Sequence, residues 1–215
     1  MQRNKKFKRL PKHIGIIPDG NRRWAVKNDL HKQEGYQRGL EPGLVVYEMC
    51  LGLGIPELTF YGFTQDNTKR PAVERMAFQQ ACVDAVRLLS NRDASLLVMG
   101  DHTSHFFPPE LLEYVHRKLF GKGLMHINFL VNYGWKWDLS HLAVNAGSGR
   151  IASHDISRID LIIRWGGRSR LSGFLPLQSV YSDIYVVDDY WPDFRPEHLH
   201  KALEWYQKQD ITLGG

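Results

Sequence analysis

The sequence predicts an α/β fold, a single domain with a mostly parallel central sheet of about six strands flanked by helices. Three observations carry this. Short apolar runs alternate with longer helix-like stretches along the chain, which is the pattern of repeated βα units. The length of 215 residues suits one domain with a sizeable core, since domains commonly run about 100 to 200 residues. The composition, 43% hydrophobic and 24% charged with aromatics spread throughout, is that of a globular chain and not a disordered one.

Taken in order, His13 to Ile17 (HIGII) reads as a first buried strand. A helix pattern covers Gly35 to Gly54, and Glu57 to Phe63 (ELTFYGF) reads as a second strand. Arg70 to Leu89 is helical, Ser95 to Met99 a strand, and Pro109 to Phe120 a helix that opens on a proline. Further strands are expected at Met125 to Val131, Ile159 to Arg164 and Ile184 to Val187. Arg195 to Gln209 closes the fold as an amphipathic helix. The small, polar stretch Asn145 to Ser157 reads as a loop, and its Gly147, Ser148, Gly149 and Ala152 match GxGxxA without the preceding strand a dinucleotide site needs. In parallel sheets ligands bind beyond the carboxyl ends of the strands, so residues that follow strands are the informative ones.

The formal charge of +5 suits an anionic partner: a nucleic acid, an acidic membrane surface or a phosphorylated small molecule. Nucleic acid is set aside, because the arginines sit in turns and no groove-reading helix or RNA-binding signature is present. Cys50 and Cys82 are the only cysteines and form no CxxC pair, which argues against a disulfide framework or a zinc knuckle and for a reducing cytoplasm. Residues 1–12 carry six Lys or Arg without a following apolar region, and no run of about 18 apolar residues occurs. This segment is expected to be a flexible basic tail with at most a weak peripheral attraction to anionic membrane.

Three clusters follow strands. Pro18-Asp19-Gly20-Asn21-Arg22-Arg23-Trp24 packs a carboxylate, a glycine and two arginines into a strand-to-helix turn, a setting suited to phosphate. Asp19 beside a phosphate implies a divalent cation between them and is a magnesium-ligand candidate. Gly62 to Pro71 brings Thr64, Asp66, Asn67, Thr68 and Arg70 onto the same rim. Asp160 to Phe174 runs a buried strand into Arg164, Arg168 and Arg170 with two glycines, Leu171 and Ser172, poor material for a core but good for an anion cradle. Asp183, before the next expected strand, supplies a second carboxylate for a shared Mg²⁺.

The segments HIGIIPDGNRRWA, FTQDNTKRP, NYGWKWDL and DLIIRWGGRSRLSGF through YSDIYVVDDYWPDF resemble the successive signature regions of cis-prenyltransferases, the undecaprenyl diphosphate synthase family, in the expected order over residues 13–215. The resemblance implies a Mg²⁺-dependent, homodimeric catalytic domain acting on isoprenoid diphosphates. It implies that Asp19 acts at the metal, that Gly20, Asn21, Arg22 and Arg23 hold an allylic diphosphate, and that Asn67 and Arg70 lie near the reacting carbons. Arg164, Arg170 and Ser172 would take the second diphosphate. Trp24, Trp165 and the Phe63 region are candidates for excluding water. Departures from the family pattern fall at Lys32, Tyr36, Thr68, Arg168-Ser169, Thr212 and Asp183, where the family has a glutamate. A helix and strand from Glu74 to Asp101 that look short for a long-chain member point to products of about two to four isoprene units. Irregular coupling of two dimethylallyl diphosphates and a non-catalytic partner subunit are the alternatives.

Overall fold

The computed structural model describes residues 7–144 and 150–210, except the side chains of residues 143 and 144. Strand β1 (His13–Ile17) leads through helices α1 (Asn21–Lys27), α2 (Glu34–Gln37) and α3 (Leu40–Leu53) to β2 (Glu57–Tyr61). A 3₁₀ turn at Gln65–Lys69 precedes α4 (Ala72–Leu89) and β3 (Ala94–Met99). A second 3₁₀ turn (Pro109–Tyr114), β4 (Lys118–Leu119), β5 (Met125–Leu130) and α5 (Trp135–Val144) follow. The chain ends in β6 (Leu161–Arg164), β7 (Asp183–Val186) and α6 (Pro196–Tyr206).

The strands form one sheet in the order β4-β3-β5-β2-β1-β6-β7, parallel except for the edge strand β4. The central strands are buried along almost their whole length, because apolar material covers both faces of a parallel sheet. One core, containing Ile14, Ile16, Leu58, Phe60 and Ile163, lies under α3, α4 and α6; a second, containing Ile17, Leu130, Ile162 and Phe174, fills the opposite face. From β1 the chain moves to one side through β2, and β6 later joins the other side of β1. The strand order therefore reverses between β1 and β6, where such sheets open a crevice.

The fold class agrees with the sequence reading, and several elements correct it. The expected helix from Gly35 to Gly54 is two helices: Gly39 at the break gives its carbonyl to Trp191 Nε1 at 2.9 Å, and the ring leaves no room for a longer side chain there. The expected helix from Pro109 to Phe120 stops at Tyr114. Arg117 then donates to Ser95 O (2.9 Å) and to Asn128 Oδ1 (2.6 Å), drawing residues 118–119 into pairing with β3 as a seventh strand. Helix α5 went unpredicted. Of the basic tail, residues 1–6 lie outside the described residues, but the stretch before β1 is clasped to α6. Arg9 donates to Gln209 O at 2.7 Å and lies over the Tyr206 ring, while Phe7 stacks on His200. The GxGxxA glycines and Thr212 also lie outside the described residues.

Candidate active site

The crevice is built where β1 and β6 end side by side. Ile17 pairs with Arg164, so Asp19 and the residue 166–173 loop emerge at the same height. Arg164 is buried (4% exposed), and its Nη2 meets Asp19 Oδ2 at 2.7 Å. Its Nη1 donates to Ser172 Oγ (3.0 Å) and to the Arg170 carbonyl. Asp19 also receives the Gly20 N–H at 2.6 Å and Arg23 Nη2 at 3.3 Å. Burial alone would raise the Asp19 pKa, but the hydrogen bond and charge of Arg164, the charge of Arg23 and the Gly20 N–H together hold it below the usual carboxylate range. Arg23 closes the joint from the other side by donating to Gly166 O at 3.0 Å. Gly20 (φ 103°) and Gly166 (φ 84°) are required here: a Cβ would lie 2.6 Å from Tyr190 at the first and 2.5 Å from Arg23 at the second.

Two clefts meet above this joint. The polar one, about 1270 Å³, is lined by Asp19 and by Arg22, Arg23, Lys32, Arg70, Arg168 and Arg170 among others. The apolar one, about 650 Å³, runs between α3 and α4 over β2 and β5, walled by Leu44, Phe60, Ala81, Cys82, Leu89 and Phe129. Pro18, Asn21, Tyr36 and Phe78 line both. At this neck the Tyr36 and Phe78 rings stack face to face, 4.5 Å apart, and Arg70 Nη1 donates to the Tyr36 hydroxyl at 2.6 Å. Asn21 Oδ1 is buried there without a partner. A charged head joined to a hydrocarbon tail is the shape of ligand that such a pair of cavities takes.

A family model described as "Putative undecaprenyl diphosphate synthase" matches residues 17–214, nearly the whole chain. The chain belongs to the undecaprenyl diphosphate synthase family of prenyltransferases. Among similar proteins, a ditrans,polycis-undecaprenyl-diphosphate synthase of Pseudomonas putida is 33% identical over 95% of this chain and 91% of its own length. An isoprenyl transferase of Nitrosomonas europaea is 33% identical, covering 95% of this chain and 86% of its own. The crystal structure of lavandulyl diphosphate synthase from Lavandula x intermedia, in complex with dimethylallyl diphosphate, shares the fold with a TM-score of 0.78 at 24% identity, covering 95% of this chain and 98% of that one.

Within this undecaprenyl diphosphate synthase-type chain, the sequence-predicted residues divide. Asp19, Gly20, Asn21, Arg22, Arg23, Lys32, Tyr36, Arg70 and Arg170 line the polar cleft. Trp24 does not; its Nε1 donates to Asp193 at 2.7 Å. Trp165 is fully buried against Trp191 and His198, so it is core and no water shield. Thr64, Asp66, Asn67 and Thr68 satisfy one another in the 3₁₀ turn and do not line either cleft: the Thr64 N–H donates to Asn67 Oδ1 (3.0 Å), Thr68 to Gln65 O (2.7 Å), and Lys69 pairs with Asp66. Leu171 packs against the second core, and Ser172 turns its hydroxyl to Arg164. Phe60 and Tyr61 wall the apolar cleft.

Asp183 lies away from this joint. It pairs with Leu161 at the start of β7, whereas Arg164, beside the end of β1, pairs with Val186. Three residues of strand, about 10 Å, separate it from the rim, so within one chain it cannot share a metal with Asp19. Burial raises its pKa, opposed by Arg9. Asp19 is accordingly the one carboxylate lining the polar cleft among the described residues, and no group of three potential ligands gathers anywhere among them. A lone ionised carboxylate in a cationic cleft suits Mg²⁺ arriving with a diphosphate, whose oxygens and waters complete its shell. Sequence reasoning missed Tyr190, over which Arg23 and Lys27 lie; Glu74, which takes Arg22 at 3.0 Å; and the Tyr61 hydroxyl, which donates to Ser172 O at 2.8 Å. None of these contacts is local in sequence.

Proposed function

We propose that the protein condenses an allylic isoprenoid diphosphate with isopentenyl diphosphate to give a short cis-prenyl diphosphate. The observation that carries this is the junction of the cationic cleft with the apolar one at Asn21, Tyr36 and Phe78. Heads sit among the cations and the allylic tail runs between α3 and α4. As the allylic C–O bond breaks, the departing charge is held by groups already in place, which is where electrostatic preorganisation lowers a barrier most. The acceptor alkene then forms the new C–C bond and loses a proton, while the Tyr36–Phe78 stack covers the reacting carbons from water. Mg²⁺, held by Asp19, would add charge neutralisation at the diphosphate. The tail cleft leaves only about 80 Å³ open to a water-sized sphere between walls such as Leu44, Phe60, Leu89 and Phe129, in favour of short products. The reading includes a homodimer in the cytoplasm, with any membrane contact peripheral; among the described residues no helix is long and apolar enough to span a membrane.

The test is incubation with dimethylallyl, geranyl and farnesyl diphosphate, each with and without isopentenyl diphosphate, in Mg²⁺ and in EDTA, followed by mass spectrometry. Products extended by one to three units support the reading. Chains of ten or more units overturn the short-product part, and coupling of dimethylallyl diphosphate alone replaces it with irregular coupling. Binding without turnover of any substrate would make the chain a non-catalytic subunit.

A further inference from the structure

Tyr190 is fixed at the join of the two halves of the crevice. The residue before it, Asp189, accepts the Gly166 N–H on its carbonyl at 2.9 Å, and the residue after it, Trp191, donates its N–H to Asp19 O at 3.0 Å. One bond goes to the turn after β6 and the other to the turn after β1, so position 190 is tied to both strand ends. From there the side chain lines the polar cleft. It lies so close to the Asp19 turn that a Cβ on Gly20 would come within 2.6 Å of it. Its hydroxyl has no partner among the described residues, which leaves the ring as the group its neighbours meet.

Two cations share that ring. Arg23 Cζ lies 5.0 Å from its centroid and Lys27 Nζ 6.0 Å. The two stand four residues apart on α1, hence on one face of the helix, and both line the polar cleft. Like charges at that spacing repel, and two long side chains free to part would swing away from each other into water. The negative face of an aromatic ring opposes this by attracting both. Arg23 has further anchors in Gly166 O at 3.0 Å and Asp19 at 3.3 Å, whereas the Lys27 side chain has no hydrogen-bond or ion-pair partner among the described residues. The ring is what holds Lys27 at the cleft. A cation already in place when charge develops stabilises it without reorganisation.

Resting on the prenyl diphosphate reading above, we infer that Tyr190 is a positioning residue for the reaction: its ring gathers Arg23 and Lys27 at the polar cleft, and Lys27 thereby joins the charge that meets the departing diphosphate.

The experiment measures, in Mg²⁺, the affinity of the full chain for inorganic diphosphate by isothermal titration, together with kcat and both KM values for dimethylallyl and isopentenyl diphosphate. Wild type is compared with Tyr190→Phe, Tyr190→Leu, Lys27→Met and the last two combined, each checked for folding by circular dichroism. Tyr190→Leu should weaken inorganic diphosphate about threefold to tenfold, the size of one or two cation–ring contacts, and should lower kcat more than it changes the isopentenyl KM. Tyr190→Phe keeps the ring and should recover most of that loss. With Lys27→Met already present the effect of Tyr190→Leu should shrink, because part of what the ring holds is gone. Trifluorophenylalanine at position 190 keeps the shape of the Tyr190→Phe ring but withdraws its negative face, so it should bind inorganic diphosphate more weakly than Tyr190→Phe even if Tyr190→Leu does not fold. Wild-type affinity in Tyr190→Leu, an equal loss in Tyr190→Phe, strictly additive losses with Lys27→Met, or a fluorinated ring that behaves as Tyr190→Phe does overturns the inference and leaves the prenyl diphosphate reading in place. Inorganic diphosphate binding that follows the ring, without turnover of any prenyl diphosphate, overturns that reading and leaves the ring's hold on the two cations standing. If wild type does not bind inorganic diphosphate, the inference falls.

Discussion

Arg164 Nη2 lies 2.7 Å from Asp19 Oδ2, a buried guanidinium at the end of one strand closing on a partly exposed carboxylate beyond the end of its neighbour. The bond spans the place where the strand order reverses, so it is also the seam of the sheet. Asp19→Ala should therefore lose about 100-fold or more in kcat, since it removes the group that would hold Mg²⁺ at the departing diphosphate. Its circular dichroism should stay native in shape. Turnover near wild type in Mg²⁺ would take Asp19 out of the site.

Loss of the Arg170 side chain should weaken the isopentenyl substrate more than the allylic one. Arg170→Ala removes a free cation from the loop after β6 and leaves the Asp19 turn untouched. A charge-assisted contact is worth about 1.5 to 3 kcal/mol. Equal changes in the KM of both substrates would contradict a two-site cleft.

Tyr61→Phe removes one hydrogen bond, from the Tyr61 hydroxyl to Ser172 O, and keeps the ring in the wall of the apolar cleft. We expect a rise in KM for isopentenyl diphosphate corresponding to about 0.5–1.5 kcal/mol, with the allylic KM changed less. A selective effect on the allylic substrate would show instead that the ring and not the hydroxyl matters.

Both cysteines should be silent toward thiol reagents in the native protein. Burial pushes the Cys82 thiol up to about 12, slightly opposed by its hydrogen bond with the Phe63 backbone, and raises the fully buried Cys50 thiol as well. Thiolate is the reactive form, so labelling at pH 8 should require unfolding. Rapid native labelling of Cys82 would mean that the tail cavity opens to solvent far more than its walls indicate.

Acid should weaken the fold before it touches Asp19. His13 is fully buried, with Nε2 2.8 Å from Thr59 Oγ1; burial lowers its pKa, only partly opposed by Glu57 and the Ser157 carbonyl. An unfolded histidine takes up its proton near about 6.5, which the buried ring resists, so stability declines as pH falls below that value. Glu57 acts in the same direction at lower pH: burial raises its pKa, but the His13 charge and bonds from Ser157 and Asn128 hold it lower, and its contribution is lost as pH drops through that depressed value. Thermal melts at pH 8, 6.5 and 5 should show a falling Tm; a flat profile would contradict this.

The sheet was legible because its signals are local: HIGII, ELTFY and DLIIR are apolar runs ended by turn residues, and each appears as a strand within a few residues of its expected bounds. Asp19, Arg23 and Arg170 were legible as cleft residues because they follow strands. The rest was not legible from local pattern alone. The polar run Thr64 to Thr68 looks ligand-ready, yet it caps its own turn. Asp183 adjoins a strand as Asp19 does, but at the strand's beginning, and the register shows that this end lies away from the rim. The helix around Gly39 broke on Trp191, which no nearby residue announces.

The Asp19–Arg164 seam joins residues 145 apart in the chain, and the clasp between Arg9 and Gln209 joins residues 200 apart. Ribosomal synthesis delivers β1 with one of its two flanking strands absent until most of the polypeptide has emerged. The nascent chain therefore exposes an unpaired edge in the middle of its future sheet, and closing contacts this remote is slow. Truncation before β6 leaves no half-active fragment, because it removes Arg164, the buried counter-charge of Asp19, together with the loop that carries Arg170. Catalytic competence therefore waits on β6, which brings Arg164 beside Asp19.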